Sequence, residues 1–302
     1  MGKVKVSVII PTINRYDDLK RSIQYLLEQD FTGYEIIIID QTENEDSNSI
    51  GAFNQNEKIK YYYSDVKSAS ASRNIGINKA TGEILLFIDD DVIIEDIKFL
   101  QKHYRHYADE SIHGVIGCPL EKQLNQKVRY DRHWMSYRSY EVGWLYFPSN
   151  FGCNTFVGVG RSNNLSARKT SAIEVGGMDE NYEKGAHREE ADFCLRLTRR
   201  FGPLLFDSGA KLVHIGNDQG GIRSWNDNQF VKAEHNIVGA IYFDLKIPRL
   251  RYRFEFHIGT LRYFLFNKVI LSRPGLYLIV LKRLIKSYRI AQIKLKNGAV
   301  YL

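Results

Sequence analysis

With 302 residues, 44% hydrophobic and 25% charged, the chain can bury a sizeable core, which excludes general disorder and the fibrous classes. The net charge of +7 is uneven: residues 246–302 hold thirteen Lys and Arg against one acid, Glu255, which leaves −5 for the preceding 245 residues. A basic, apolar tail on a mildly acidic body speaks against a nucleic-acid-binding domain and suits contact with anionic lipid.

Val4, Val6 and Val8 alternate with polar residues before Ile9-Ile10-Pro11 and predict a first strand. Residues 1–5 enter it with no signal-peptide pattern, and Cys118, Cys153 and Cys194 form no C-x-x-C pair. Both features point to a reducing, cytoplasmic setting with buried, inert thiols, where the sequon Asn164-Leu165-Ser166 carries little weight. Leu19, Ile23, Leu26 and Leu27 follow at helical spacing, with Asp17 and Asp18 in the opening turn, where the helix dipole favours acids. Residues 35–40 predict a second, fully buried strand and residues 59–63 a third. Ser68 to Ala80 reads as a helix closed by Thr81-Gly82, and residues 84–88 as the next strand. Ile97, Leu100, Tyr104 and Tyr107 mark another helix before a short strand at Val115-Ile116. The aromatic stretch with Trp134, Tyr137, Tyr140, Trp144, Tyr146 and Phe147 is either core filler or an acceptor groove that stacks on sugar rings. A helix near residues 189–200 and two short strands, 204–206 and 211–214, complete the body.

Strands alternating with helices imply a doubly wound, mostly parallel α/β sheet, in which ligands bind at the carboxyl ends of the strands. No G-x-G-x-x-G follows the first strand, where the chain reads Pro11-Thr12-Ile13-Asn14-Arg15, so dinucleotide chemistry is disfavoured. Asp89, Asp90 and Asp91 emerge together from the buried run 84–88. Three adjacent carboxylates repel one another unless they are solvated, as in an acidic turn capping a helix, or neutralised by a hard divalent cation.

Ser7 to Arg15, Ile36 to Asp40, Ser70 to Gly76, Phe87 to Asp91, Gly176-Gly177-Met178-Asp179-Glu180 and Arg188-Glu189-Glu190-Ala191-Asp192 occur in the order seen in family 2 glycosyltransferases, which the chain resembles over residues 4–225. The resemblance implies a GT-A fold and transfer of a sugar, with inversion, from a nucleotide diphosphate donor. It makes Asp91 the direct ligand of Mn²⁺ or Mg²⁺, places Asp89 on the ribose or on the metal through water, and leaves Asp90 in support. Asp40 would meet the nucleotide base, with Pro11 and Thr12 against base and ribose and Asn14 and Arg15 in the same turn. Arg73 would pair with the donor, and His214, closing its strand, would be a further metal ligand. Helix capping by Asp40, a surface position for Arg73 and a structural His214 are the competing readings of the residues alone.

Inversion requires a general base for the acceptor hydroxyl. Glu189-Glu190-Ala191-Asp192-Phe193 resembles the family's E-D-x-D-L, with Glu190 where Asp is common. Glu190 is therefore expected as the base, supported by Glu189 and Asp192; an acidic first turn of a helix is the plainer alternative. Arg223, beside Gln219-Gly220-Gly221 and Trp225, is placed to bind a diphosphate oxygen from a mobile loop. The spacing differs from the Q-x-x-R-W of processive synthases, which favours addition of one sugar.

The expected organisation is a nucleotide-sugar half (1–118), an acceptor and catalytic half (119–243) and a basic amphipathic helical tail (244–302). In that tail Lys282, Lys286 and Arg289 share one helical face and Leu281, Ile285 and Tyr288 another, the pattern of an interfacial helix. Packing on the body or on a second subunit is the alternative for the tail. The expectation is an enzyme peripheral to the inner face of the cell membrane, using a UDP-sugar and a glycan or lipid-linked acceptor. GDP- and dTDP-sugars stay open as donors. A sugar nucleotidyltransferase would need a Gly-rich triphosphate loop at residues 11–15, and a non-catalytic scaffold would have no need of the acid triplet.

Overall fold

The computed structural model describes residues 3–43, 56–128, 130, 149–185, 187–217, 220–221, 234–246 and most of 258–302. The aromatic stretch 131–148 and Gln219, Arg223 and Trp225 lie outside the described residues.

The first half is built as its apolar pattern requires. Strands β1 (Val6–Thr12), β2 (Tyr34–Asp40), β3 (Ile59–Tyr63) and β4 (Ile84–Ile88) pair in parallel in the order 3-2-1-4. Every residue of β2 and β4 is buried, because helices cover both faces of a parallel sheet. Alternate residues supply two cores: Ile9, Ile37, Leu85 and Phe87 face one side, and Val8, Ile10, Ile36 and Leu86 the other. Helix α1 (Tyr16–Leu27) buries Leu19, Ile23 and Leu26 on the second side. Helix α2 (Ala69–Lys79) starts at Ser68, whose side chain accepts from the Ala71 amide. It ends at Ala80 in extended conformation, not in a glycine cap. Gly82 answers a different need: a Cβ there would meet the Ser7 backbone nitrogen at 2.8 Å.

Strand β5 (Val92–Ile93) follows, then a short helix α3 (Phe99–Tyr104) that runs into a 3₁₀ turn over Arg105–Ala108. Ile97 is exposed and lies off the buried face that the spacing suggested. Strands β6 (Gly114–Glu121), β7 (Thr155–Val157), β8 (Asn164–Arg168) and β9 (Leu204–His214) extend the same sheet, which orders its strands 3-2-1-4-8-6-9-5 with β7 beside β9. The sequence boundary at 118/119 falls within β6, and one sheet runs through both halves. The two segments read as separate strands at 204–206 and 211–214 form the single strand β9.

Direction explains the site. Strand β8 is antiparallel to β4, β6 is antiparallel to β8, and β9 is parallel to β6. Two reversals restore the original direction, so β1, β2, β4, β6 and β9 all end on one edge. Thr12, Asp40, the aspartate triplet, Glu121 and His214 therefore share that edge, as ligand-binding groups do in open α/β sheets.

Helices α4 (Lys169–Glu174) and α5 (Glu189–Phe201) follow β8. Helix α6 (Glu234–Lys246), the short α7 (Lys268–Ser272) and α8 (Leu276–Asn297) complete the chain. Val280, Leu284, Ser287 and Ala291 form the buried stripe of α8, which packs on α6, so the tail does pack on the body through one face.

Candidate active site

An open cleft lies over the carboxyl edge. Pro11, Thr12, Arg15 and Arg73, the three aspartates, Glu189 and His214 all line it. Asn14, Asp40 and Glu190, expected from the sequence, are not among its lining residues.

The acids divide by environment. Asp90 is buried, accepts from the Thr12 hydroxyl at 2.7 Å and pairs with Arg15 at 3.2 Å. Burial raises its carboxyl to about 7 against the pull of Arg15. Asp91 is 1% exposed and its Oδ2 accepts from the Asn217 amide at 3.0 Å. Burial opposes its charge, but His214 and Arg15 hold it below the usual carboxylate range. Its Oδ1 is buried without a hydrogen-bond partner, although His214 Nε2 lies 3.2 Å away as an ion pair. Asp89 is half-buried, 3.7 Å from the same nitrogen.

One ligand atom from each of Asp89, Asp91 and His214 lies within 4.8 Å of the others. Two carboxylates and an imidazole suit Mn²⁺ or Mg²⁺, and an orphaned buried carboxylate oxygen is the group a cation would satisfy. His214 is aimed by Glu121, whose Oε2 is 2.7 Å from Nδ1. The two residues are register partners at the end of the β6–β9 ladder, so the sheet itself sets this contact. A carboxylate on the far ring nitrogen is the usual support of a metal-binding histidine. Burial works against a charged imidazole, yet Asp91, Glu121 and Asp89 outweigh it and raise His214 to about 10. Nothing local in the sequence marked Glu121; only strand pairing brings it to His214.

Arg73 is buried rather than on the surface: it donates to Glu189 at 2.6 Å and to Asp89 at 3.4 Å. Glu189 Oε2 also accepts from Ser70 at 3.0 Å, so both oxygens are engaged. Glu190, the next residue, is half-buried and has no hydrogen-bond or ion-pair partner among the described residues. Neighbours on a helix point about 100° apart, which explains why only Glu189 reaches this cleft. Asp192 faces away, paired with Arg196 at 2.8 Å and Lys246 at 2.8 Å, and helps tie α5 to α6.

Arg15 donates to the Asn217 and Gly220 carbonyls at 2.6 and 3.3 Å and so joins the first turn to the segment after β9. Asn14 is exposed at φ +53, and its amide donates to the Thr42 hydroxyl: it shapes the turn. Asp40 is fully buried and accepts from Tyr16, Tyr61 and both the amide and hydroxyl of Thr42. With four hydrogen bonds it is neither a helix cap nor open to the cleft. Cys118 and Cys194 are buried thiols raised by burial to about 11 and about 12, and all three cysteines are free. Asn164 of the sequon is fully buried.

Comparisons with known proteins bear on the family and the fold. The profile of Glycosyl transferase family 2 matches residues 7–165. The GalNAc(5)-diNAcBac-PP-undecaprenol beta-1,3-glucosyltransferase of Campylobacter jejuni is 34% identical over 126 residues, 40% of this chain and 40% of that protein. The glucosyl-dolichyl phosphate glucuronosyltransferase of Haloferax volcanii is 24% identical over 225 residues, 70% of this chain and 69% of that one. Along the Campylobacter protein and three further curated relatives, the chain spans two fifths or less of their length. The mannosyltransferase PcManGT of Pyrobaculum calidifontis, solved with GDP-Man and Mn²⁺, superposes with a TM-score of 0.58 at 12% identity, over 99% of this chain and 80% of that one. The fold is thus that of a GT-A glycosyltransferase. With its profile matched over more than half its length, the chain belongs to glycosyl transferase family 2.

Proposed function

We propose that the protein is a metal-dependent, inverting glycosyltransferase. It transfers one sugar from a nucleotide diphosphate donor, a UDP-sugar first among the candidates, to a glycan or lipid-linked acceptor. The observation that carries this reading is the convergence of Asp89, Asp91 and His214 in the cleft that Glu189 also lines. Asp91, Asp89 and His214 would hold Mn²⁺ or Mg²⁺, with Glu121 fixing the imidazole. A divalent cation there supplies Lewis-acid stabilisation to the diphosphate that leaves. Arg73 holds Glu189 and Asp89 in one orientation, and Arg15 balances the charge of Asp90 and Asp91. Glu190, which stands on the helix beside the cleft and not in its lining, is assigned the acceptor proton, because Arg73 and Ser70 hold Glu189 in a structural role. The acceptors in two relatives' names, an undecaprenol diphosphate and a dolichyl phosphate, support a lipid-linked class. A panel of UDP-, GDP- and dTDP-sugars tested for Mn²⁺-dependent slow hydrolysis decides the matter; no turnover with any donor would refute the reading.

The same reading sets the enzyme on an anionic membrane. Helix α8 carries six Lys and Arg and no acid, and its Leu278, Leu281, Ile285 and Tyr288 form an exposed stripe outside the buried face. Among the described residues no helix is long and apolar enough to cross a membrane, so contact is with the surface. Each basic residue near an anionic leaflet contributes on the order of 1 kcal/mol. Replacing Leu281 and Ile285 by Asp should abolish co-sedimentation with phosphatidylglycerol vesicles. Undiminished binding, or a shift from dimer to monomer with binding unchanged, would contradict the membrane assignment.

A further inference from the structure

Beyond α8 the chain turns at Gly298, at φ +90, and residues 299–302 run back along the loop 176–180. Backbone bonds fasten the two segments from both sides. The Leu302 amide donates to the Gly176 carbonyl at 2.8 Å, and the Glu180 amide donates to the Val300 carbonyl at 2.8 Å. The Val300 amide donates to Asp179 Oδ1 at 3.1 Å, and the Asn181 side chain donates to the Gly298 carbonyl at 2.9 Å. This close approach needs glycine: Gly176 sits at φ +85, and a Cβ there would meet Tyr301 Cβ at 2.9 Å. The Tyr301 ring stands 4.7 Å from the Arg196 guanidinium on α5 and 5.0 Å from Lys246 Nζ on α6.

Helix α2 holds the other side of the same loop. Asn74 is buried; its Nδ2 donates to the Met178 carbonyl at 3.0 Å and to Glu180 Oε1 at 2.9 Å, and its Oδ1 accepts from the Met178 amide at 2.7 Å. Its neighbour Arg73 holds Glu189 and Asp89 in the cleft. The path from the end of α8 to the cleft is therefore unbroken. Helix α8 meets α6 through a narrow stripe in which Ser287 and Ala291 are small, a seat that can slide when a surface grips the exposed flank. Resting on the membrane reading above, we infer that residues 298–302 form a strap that carries the seating of α8 to the cleft. Contact of α8 with an anionic surface draws the strap onto loop 176–180, and Asn74 passes that order to Arg73.

Amide hydrogen exchange of the full chain, with and without phosphatidylglycerol vesicles, tests this alongside co-sedimentation. In wild type, vesicles should slow exchange over residues 69–80 and 176–182 about threefold to fivefold, the scale of one cation–π contact. Tyr301→Phe, which keeps the ring, should respond as wild type does. Tyr301→Ala, and Leu302→Pro, which removes the amide that bonds Gly176, should sediment as well as wild type yet show no slowing. Equal slowing in wild type and both of these variants would make the strap a packing contact and overturn the inference. Absence of slowing in wild type that does sediment would overturn it while the membrane reading stands. Failure of wild type to sediment would overturn both.

Discussion

Two histidines in one protein, one buried and one at the cleft, show how environment separates a scaffold from a site. His103 on α3 is wholly enclosed, with Nδ1 2.9 Å from the Ser166 hydroxyl and Nε2 2.9 Å from Asn164 Oδ1. Its partners are neutral and complete, and burial lowers it to about 4. His214, at the strand edge, is surrounded by Asp89, Asp91 and Glu121, and a carboxylate oxygen beside it lacks a hydrogen bond. The first cluster is closed and needs nothing more. The second gathers three acids around His214 at a cleft, the arrangement that the proposed function completes with a divalent cation.

The sharpest way to break this contrast is to remove a ligand from the open cluster. Asp91→Ala should cost about a thousandfold or more in metal-dependent transfer with thermal stability nearly unchanged, since several kcal/mol of charge stabilisation are lost. Unchanged turnover would dismiss the cluster as an acidic surface feature. Glu190→Gln should lower transfer about a hundredfold or more while donor affinity, measured by titration, holds. If Glu189→Gln gave that pattern and Glu190→Gln did not, the two glutamates would exchange roles.

The closed cluster should answer to pH through stability. The folded value of His103, near 4, lies below the ordinary 6.5, so the unfolded chain binds the proton more tightly. Its contribution is complete above about pH 6.5 and falls as pH drops towards 4, by about 3 kcal/mol at most. Urea midpoints between pH 7 and 4.5 should show this decline, and His103→Gln should flatten it; an equal slope in both would place the linkage elsewhere. Smallest in effect is the support of the open cluster. Glu121→Ala should weaken Mn²⁺ binding about tenfold or somewhat more, and Glu121→Gln, which keeps an acceptor for Nδ1–H, should restore most of it.

The sequence exposes the two clusters unequally. Runs such as 35–40 and 84–88 announce buried parallel strands because both their faces are apolar, the ordered motifs carry the triplet and Glu189, and His214 shows as the residue that closes its strand. Strand β8 escapes notice because Asn164 and Ser166 look like surface residues; they are buried only because His103 and Tyr107, some sixty positions away, meet them. Glu121 is hidden for the same reason, its partner lying 93 residues downstream. Asp40 was legible as a strand-end acid, but its enclosure by Tyr16, Tyr61 and Thr42 was not. Local pattern reveals elements; pairings across the sheet decide which polar groups are finished and which await a ligand.

Electron paramagnetic resonance of Mn²⁺ titrated into the protein with UDP present tests the central claim most directly. One tightly bound ion per chain in wild type, lost in Asp91→Asn and in His214→Ala, is the expected result. An unaltered bound fraction in both variants would contradict it.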